Sequence, residues 1–397
     1  MTDLMIKNAR PNGGPAADIL IRAGRIAEMG AGLVAPGVPV EDAGGRIAIP
    51  GLIDAHTHLD KSLLGHPWYR NEVGPRLLDK IDNERRVKRD LGLDPHVQSM
   101  RQSVLSLSHG TTHIRSHVDV DTDQGVRAVE GVLATREKLA GLIDIEIVAF
   151  PQSGLMRRPG TLSLMDEAMA MGADLVGGLD PCGIDQDPKG HLDAIFGLAQ
   201  KHGKPIDIHL HEPGELGAFS MEMIFERTAA LGMQGRVAVS HAFCLGAPDW
   251  QRTQALIDRL AELDIRILTT APASRDVPAV KRLDAAGVKV GAGNDGFRDT
   301  WGPYGTGDML ERAMFVGMRN NFRRDDEVER ALAVCTTGGA EVMDIAGHGL
   351  AAGCAGDVVL VEGETPADAV SRHAARPLVV KGGRVVARDG RALVEAP

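Results

Sequence analysis

Cysteine is scarce in this chain: 397 residues contain four, at Cys182, Cys244, Cys335 and Cys354, with no C-x-x-C among them. That scatter excludes a disulfide framework and a thiolate zinc site. Cys244 has no identifiable base partner and reads as core. Any metal would have to be held by histidine and carboxylate. No apolar run reaches the length of a membrane span, and residues 1–7 show no basic segment leading into an apolar one. A soluble, cytoplasmic protein without a membrane partner is the expectation. Positive charge is also short. Lys and Arg number 44 against 54 Asp and Glu, a net charge of −10 with a pI of about 5.8. A nucleic-acid partner is therefore not expected, because phosphate backbones demand a concentrated basic face. The most basic run, Asp82 to Asp90, is flanked by acids and reads as a solvated helix face. No G-x-G-x-x-G follows a strand, so a dinucleotide site on an open doubly wound sheet, the competing fold, lacks its signature.

What is present is a long alternation. Short apolar strands are expected at Leu52–His56, Thr112–His117, Glu146–Phe150, Leu175–Leu179, Ile206–His209, Val237–His241, Ile265–Thr270 and Val288–Asn294. Helical patterns with apolar residues at i, i+3 and i+4 lie between most of them, as in Pro95–Ser108 and Asp249–Leu263. Alternating strand and helix units imply a parallel sheet, and eight of them imply a (β/α)8 barrel. Residues 1–48 and 345–397 have another texture: short strands with Gly turns at both ends. They are expected to pair into one small β-sandwich built from both termini, around a barrel of residues 49–344.

In a barrel, functional groups gather at the C-terminal ends of the strands. Those ends here carry His56-Thr57-His58, His117-Val118-Asp119, Gln152, Asp180, His209-Leu210-His211-Glu212, His241 and Asn294-Asp295. On a strand, residues i and i+2 share a face, so His56 and His58 can aim at one point. Histidines with a carboxylate and no cysteine suit one divalent ion, Zn²⁺ or Fe²⁺, with a position left for water. A bound metal can bring the pKa of that water to around 7, and a nearby carboxyl can move its protons. Conjunction of these ends argues for a metal hydrolase.

The pattern of H-x-H on the first strand, His209 and His241 on the fifth and sixth, and Asp295 on the eighth resembles the amidohydrolase superfamily. Within it, Phe150-Pro151-Gln152, Arg115-Ser116-His117-Val118-Asp119 and Asp299-Thr300-Trp301-Gly302-Pro303 are similar to motifs of the cytosine deaminase branch. His56-Thr57-His58-Leu59-Asp60-Lys61-Ser62 and Ser240-His241-Ala242-Phe243-Cys244 resemble the N-isopropylammelide amidohydrolases of that branch at least as much. The resemblance implies that His56, His58, His209 and Asp295 hold the metal. It implies Glu212 as proton shuttle, His241 as the group that orients hydroxide, and Asp295 as a second proton acceptor. Gln152 would bind the amide edge of a heterocycle, with Lys61, His211 and Trp301 lining its pocket. His117 and Asp119 read as a structural pair beneath the metal.

Two departures bear on substrate. Gly296 stands where cytosine deaminases carry a second Asp, which implies a roomier pocket short of one carboxylate. Glu212 stands where the ammelide enzymes have Asp, which fits the deaminases better. The fourth strand ends without the lysine that binuclear relatives use, so one metal and deamination are expected. The expected reaction is hydrolytic deamination of an amino-substituted pyrimidine, triazine, purine or pterin ring, with ammonia as product. The alternative is alkylamine release from an N-alkylated, ammelide-type triazine. A closed symmetric homo-oligomer is the expected assembly.

Overall fold

The computed structural model of the chain describes residues 2–397. Eight strands form one parallel sheet in sequential order: Leu52–Thr57 (β1), Thr111–Asp119 (β2), Asp144–Phe150 (β3), Leu175–Leu179 (β4), Ile206–His209 (β5), Val237–Ser240 (β6), Arg266–Thr269 (β7) and Val290–Ala292 (β8). All eight lie where the apolar runs placed them. Every residue of β1, β2, β4, β5, β6, β7 and β8 is buried, which is what a sheet wrapped by helices on its outer face requires. The sheet closes between β8 and β1. Thr57 and Asp295 bridge in parallel, and the Asp295 amide donates to the His56 carbonyl at 2.8 Å. The (β/α)8 reading is correct.

The two termini share one further sheet. Leu4–Pro11 pairs antiparallel with Ala17–Arg22 and parallel with Ile47–Pro50, and Ile47–Pro50 pairs antiparallel with Val358–Val361. This sheet has a core of its own, in which Ile6, Ile19, Ile21 and Ile26 from the N-terminal segment pack with Val358, Leu360 and Val380 from the C-terminal one. Lys381 ties the sheet to the base of the barrel, bonding Asp357 at 2.8 Å and Asp144 at 2.7 Å.

The stretch Asp82–Asp90 corrects the sequence reading. It lies in a helix, Leu77–Asp90, and only part of it is solvated: Asp82, Arg86, Arg89 and Asp90 are exposed, whereas Asn83, Glu84, Arg85, Val87 and Lys88 are buried. The buried charges are satisfied by partners inside the protein rather than by water, and such long-range pairing leaves no periodic mark in a sequence.

The β8–β1 seam depends on one close approach. A Cβ at Gly293 would stand 2.3 Å from the His56 carbonyl oxygen and 2.4 Å from its nitrogen. Gly293→Ala is expected to cost at least about 1–3 kcal/mol by forcing the seam apart. Thermal unfolding checks this; an unchanged midpoint would mean that the seam is not closed as described.

Candidate metal centre and substrate pocket

Hydrogen bonding fixes where the imidazole lone pairs point. The Ser240 hydroxyl donates to Asp207 Oδ1 at 2.7 Å, so its proton is already used. His56 Nδ1, 2.9 Å from the same hydroxyl oxygen, must therefore be the donor. That leaves His56 Nε2 with a lone pair, buried and without a partner among the described residues. His58 Nδ1 faces the His117 carbonyl at 2.9 Å, and a carbonyl only accepts. His58 Nε2 is thus a second free lone pair. It lies 3.4 Å from Asp295 Oδ1 and 3.4 Å from His209 Nε2, while His56 Nε2 lies 3.8 Å from Asp295 Oδ1. The Asp207 carboxylate behind His56 is itself held by Arg115 at 3.0 Å. Such outer partners are how proteins set the tautomer of a ligating histidine.

Burial disfavours the charged form of His56, His209 and His241. His56 is pushed down to about 3, chiefly because its charged form would be desolvated, and the Asp295 carboxylate only partly opposes this. His209 and His241 are held well below the usual histidine range for the same reason. His241 Nε2 is also buried without a partner among the described residues, and His241 shares a cluster with His56 and Asp295. Imidazoles and one carboxylate, with the Nε2 lone pairs of His56 and His58 facing that carboxylate, fit a divalent cation of borderline hardness. His56, His58, His209 and Asp295 are the residues that would hold it.

The backbone strains to bring them there. Asp180, His241 and Asp295 directly follow or nearly follow β4, β6 and β8, and have φ of +36°, +69° and +64°. Such conformations cost non-glycine residues about 1–3 kcal/mol each.

The expected pair of His117 and Asp119 does not form. His117 packs against the rings of His56 and His209 with neither nitrogen bonded, whereas Asp119 accepts from Lys61 at 3.0 Å and Lys88 at 2.5 Å. Two lysines nearby outcompete a neutral, desolvated imidazole.

Beside the ligands is a cavity of about 110 Å³, the space of roughly four waters at about 30 Å³ each, enough for one small ring. Lys61, Gln152, His211 and Trp301 line it together with His58, His209 and Asp295. Glu212 does not. Its Oε1 accepts the amides of Cys182 at 2.9 Å and Gly183 at 2.7 Å, and its Oε2 accepts the Ser220 hydroxyl. Strand alternation continues past β5, so His209 and His211 share the inner face, and Glu212 turns toward the loop after β4. His211 stands in the pocket with its Nδ1 2.8 Å from Asp180 Oδ2, while Asp180 Oδ1 accepts the His211 amide at 2.6 Å. Burial lowers the His211 pKa, but Asp180 more than offsets it, and the net shift is upward. In the sequence Asp180 is visible only as a strand-end acid; spacing does not reveal its partner.

Gly296 also differs from expectation. Its missing side chain does not leave a void, since Asp299 Oδ2 lies 2.0 Å from where a Cβ would stand. Asp299 lines the pocket, so a carboxyl is present there after all.

Behind the pocket lies a buried charge network from β1, β2 and the helix Leu77–Asp90. Lys61 bonds Gln152 Oε1 at 2.7 Å, Asp119 at 3.0 Å and Glu84 at 3.2 Å. Glu84 accepts the Trp301 indole N–H, and the Asp119 amide donates to Asp60 at 3.3 Å. Because lysine only donates, its contact fixes Gln152 with Oε1 inward and the amide nitrogen free. Three carboxyls (Asp60, Glu84, Asp119) face two ammonium groups (Lys61, Lys88). Low dielectric favours one proton retained among the acids.

Residues 39–387 match the amidohydrolase family. The chain belongs to that family. An N-isopropylammelide isopropylaminohydrolase from Burkholderia multivorans, known as a crystal structure, superposes with a TM-score of 0.96 at 51% identity, over 99% of this chain and 100% of that one. The N-isopropylammelide isopropyl amidohydrolase of Pseudomonas sp. (strain ADP) is 32% identical over 402 residues, covering 98% of each chain. A 5-methylcytosine deaminase from Klebsiella pneumoniae, liganded with 5-fluorocytosine, has a TM-score of 0.85 at 27% identity, over 99% of both chains. Family membership makes the protein a hydrolase, and both branches named by the sequence motifs are among its relatives.

The retained proton has a testable consequence. Burial raises Glu84 to about 8, with Lys61 opposing and Asp119 reinforcing the shift. A carboxyl whose folded pKa exceeds its unfolded value of about 4.3 makes the folded state bind more protons, so stability falls as pH rises from there through about 8. Glu84→Gln removes this titration. Its melting temperature is expected to fall less than the parent's between about pH 6 and 9; parallel curves would place the proton elsewhere.

Proposed function

We propose that the chain is a metal-dependent hydrolase that cleaves an exocyclic carbon–nitrogen bond of an N-alkylated, ammelide-type triazine and releases the alkylamine. The observation that carries this choice over ammonia release is the 51% identity, over 99% of this chain, to an N-isopropylammelide isopropylaminohydrolase. The pairing of His211 with Asp180 inside the pocket, while Glu212 is bonded outside it, supplies a proton donor for the departing nitrogen. Deamination of a cytosine-like ring is the second reading, favoured by Gln152 and by the 27% identity to a 5-methylcytosine deaminase.

His56, His58, His209 and Asp295 would hold one Zn²⁺ or Fe²⁺; this donor set accepts either. When bound, the ion supplies the Lewis acidity that makes water a nucleophile at neutral pH. The chain's own groups do the rest. Asp295 accepts a proton from the attacking water. His241, with a buried and unpartnered Nε2, hydrogen-bonds to and orients the attacking oxygen. His211 delivers a proton to the departing nitrogen, and Asp180 holds its ring in place through Nδ1. Gln152 donates its amide N–H to a ring carbonyl, since Lys61 occupies its oxygen. Trp301 is anchored by Glu84 and covers the ring.

The test is product analysis with metal-loaded protein. An N-alkylammelide is expected to yield alkylamine, and His211→Asn is expected to lower kcat by about 10²–10⁴-fold with metal content unchanged. Glu212→Gln is expected to lower the melting temperature and leave kcat within about threefold. Ammonia from cytosine-type rings with no alkylamine would select the second reading. A folded, metal-loaded Glu212→Gln protein without turnover would return the shuttle role to Glu212.

A further inference from the structure

Asp299 has no role in the scheme above, yet it is placed like a recognition group. It is 6% exposed and lines the ring-sized cavity. Its Oδ1 accepts two backbone amides, from Trp301 at 2.8 Å and Gly302 at 3.1 Å. Those two bonds fix the plane of the carboxyl. They leave Oδ2 with no hydrogen bond among the described residues, beside the bare backbone of Gly296. An acceptor on the cavity wall that no donor among those residues claims is available to a ligand N–H.

The two residues are sterically linked. Oδ2 lies 2.0 Å from the position of a Cβ on residue 296, so no side chain at 296 is compatible with Asp299 as it stands. The pocket therefore keeps an acid on this wall, supplied from three residues further along the loop. Across the same cavity, Gln152 presents a fixed donor, because Lys61 at 2.7 Å claims its oxygen. A fixed donor and a fixed acceptor in one small cavity match a ring that carries both C=O and N–H, as in a cyclic amide or ureide.

We infer that Asp299 is a specificity-determining residue whose Oδ2 accepts a hydrogen bond from a ring N–H of the substrate, selecting rings that keep that hydrogen over rings alkylated at that ring nitrogen. This rests on the proposed function for the identity of the ring, but the recognition itself is separable from turnover.

Two measurements keep them apart. In calorimetric titrations, metal-loaded protein is expected to bind cyanuric acid, which has ring N–H groups, at least about 10-fold more tightly than its tri-N-methyl form. Asp299→Ala and Asp299→Asn are expected to weaken cyanuric acid by about 10–100-fold and leave the methylated ring unchanged. Gly296→Ala, which must displace the Asp299 carboxyl, is expected to reproduce that loss with Asp299 still in the chain. In kinetics with an N-alkylammelide, the Asp299 variants are expected to raise KM with kcat little changed. Equal losses for both rings would signify a merely structural role and overturn the inference, as would variants that bind cyanuric acid as the parent does. If the parent releases no amine yet shows the Asp299-dependent preference, the proposed reaction fails and this inference stands.

Discussion

The central constraint is a set of histidine lone pairs with nothing to face but one another. Ser240 and the His117 carbonyl take the Nδ1 protons of His56 and His58, so two Nε2 lone pairs are directed toward the Asp295 carboxylate. Without a cation these lone pairs and the carboxylate repel, and burial opposes protonation of His56, which is pushed down to about 3. Much of the surrounding structure serves that arrangement. Arg115 fixes Asp207, which fixes Ser240, which fixes His56. The close β8–β1 seam brings Asp295 to the same point. The left-handed turns at the strand ends are sustained by a barrel that leaves them no alternative.

A second layer positions the substrate pocket. Five buried ionisable groups link β1, β2 and the helix Leu77–Asp90 to Gln152 and Trp301. Buried ion pairs contribute little net stability because desolvation offsets their attraction. Their value here is geometric: Lys61 decides which end of the Gln152 amide meets the ligand. Asp180 does the same for His211. The chemistry thus depends on groups whose own hydrogen bonds are already committed, which limits the reorganisation required during reaction.

The sequence discloses a great deal of this, for identifiable reasons. Strand burial on both faces produces continuous apolar runs, so all eight barrel strands are legible. The i, i+2 rule places His56 with His58 and His209 with His211. What it cannot disclose is pairing between distant residues. Glu84 and Lys88 look like solvent charges because their partners, Lys61 and Asp119, lie 23 and 31 positions away. Glu212 is bonded to the Cys182 and Gly183 amides while His211 lines the pocket, an arrangement that residue type and spacing do not announce. Gly296 signals space, whereas Asp299 fills it, and only three-dimensional proximity reveals that exchange.

The proposed chemistry requires His56, His58, His209 and Asp295 to hold one divalent ion, and metal titration tests this most directly. Chelator-treated protein is titrated with Zn²⁺ or Fe²⁺ while uptake and melting temperature are followed. One equivalent per chain should bind, with a rise in melting temperature as saturation is reached, because an ion that prefers the folded state stabilises it by mass action. His56→Ala and His209→Ala should abolish both effects. Uptake by either variant equal to the parent's, or no uptake by the parent, would contradict the central claim.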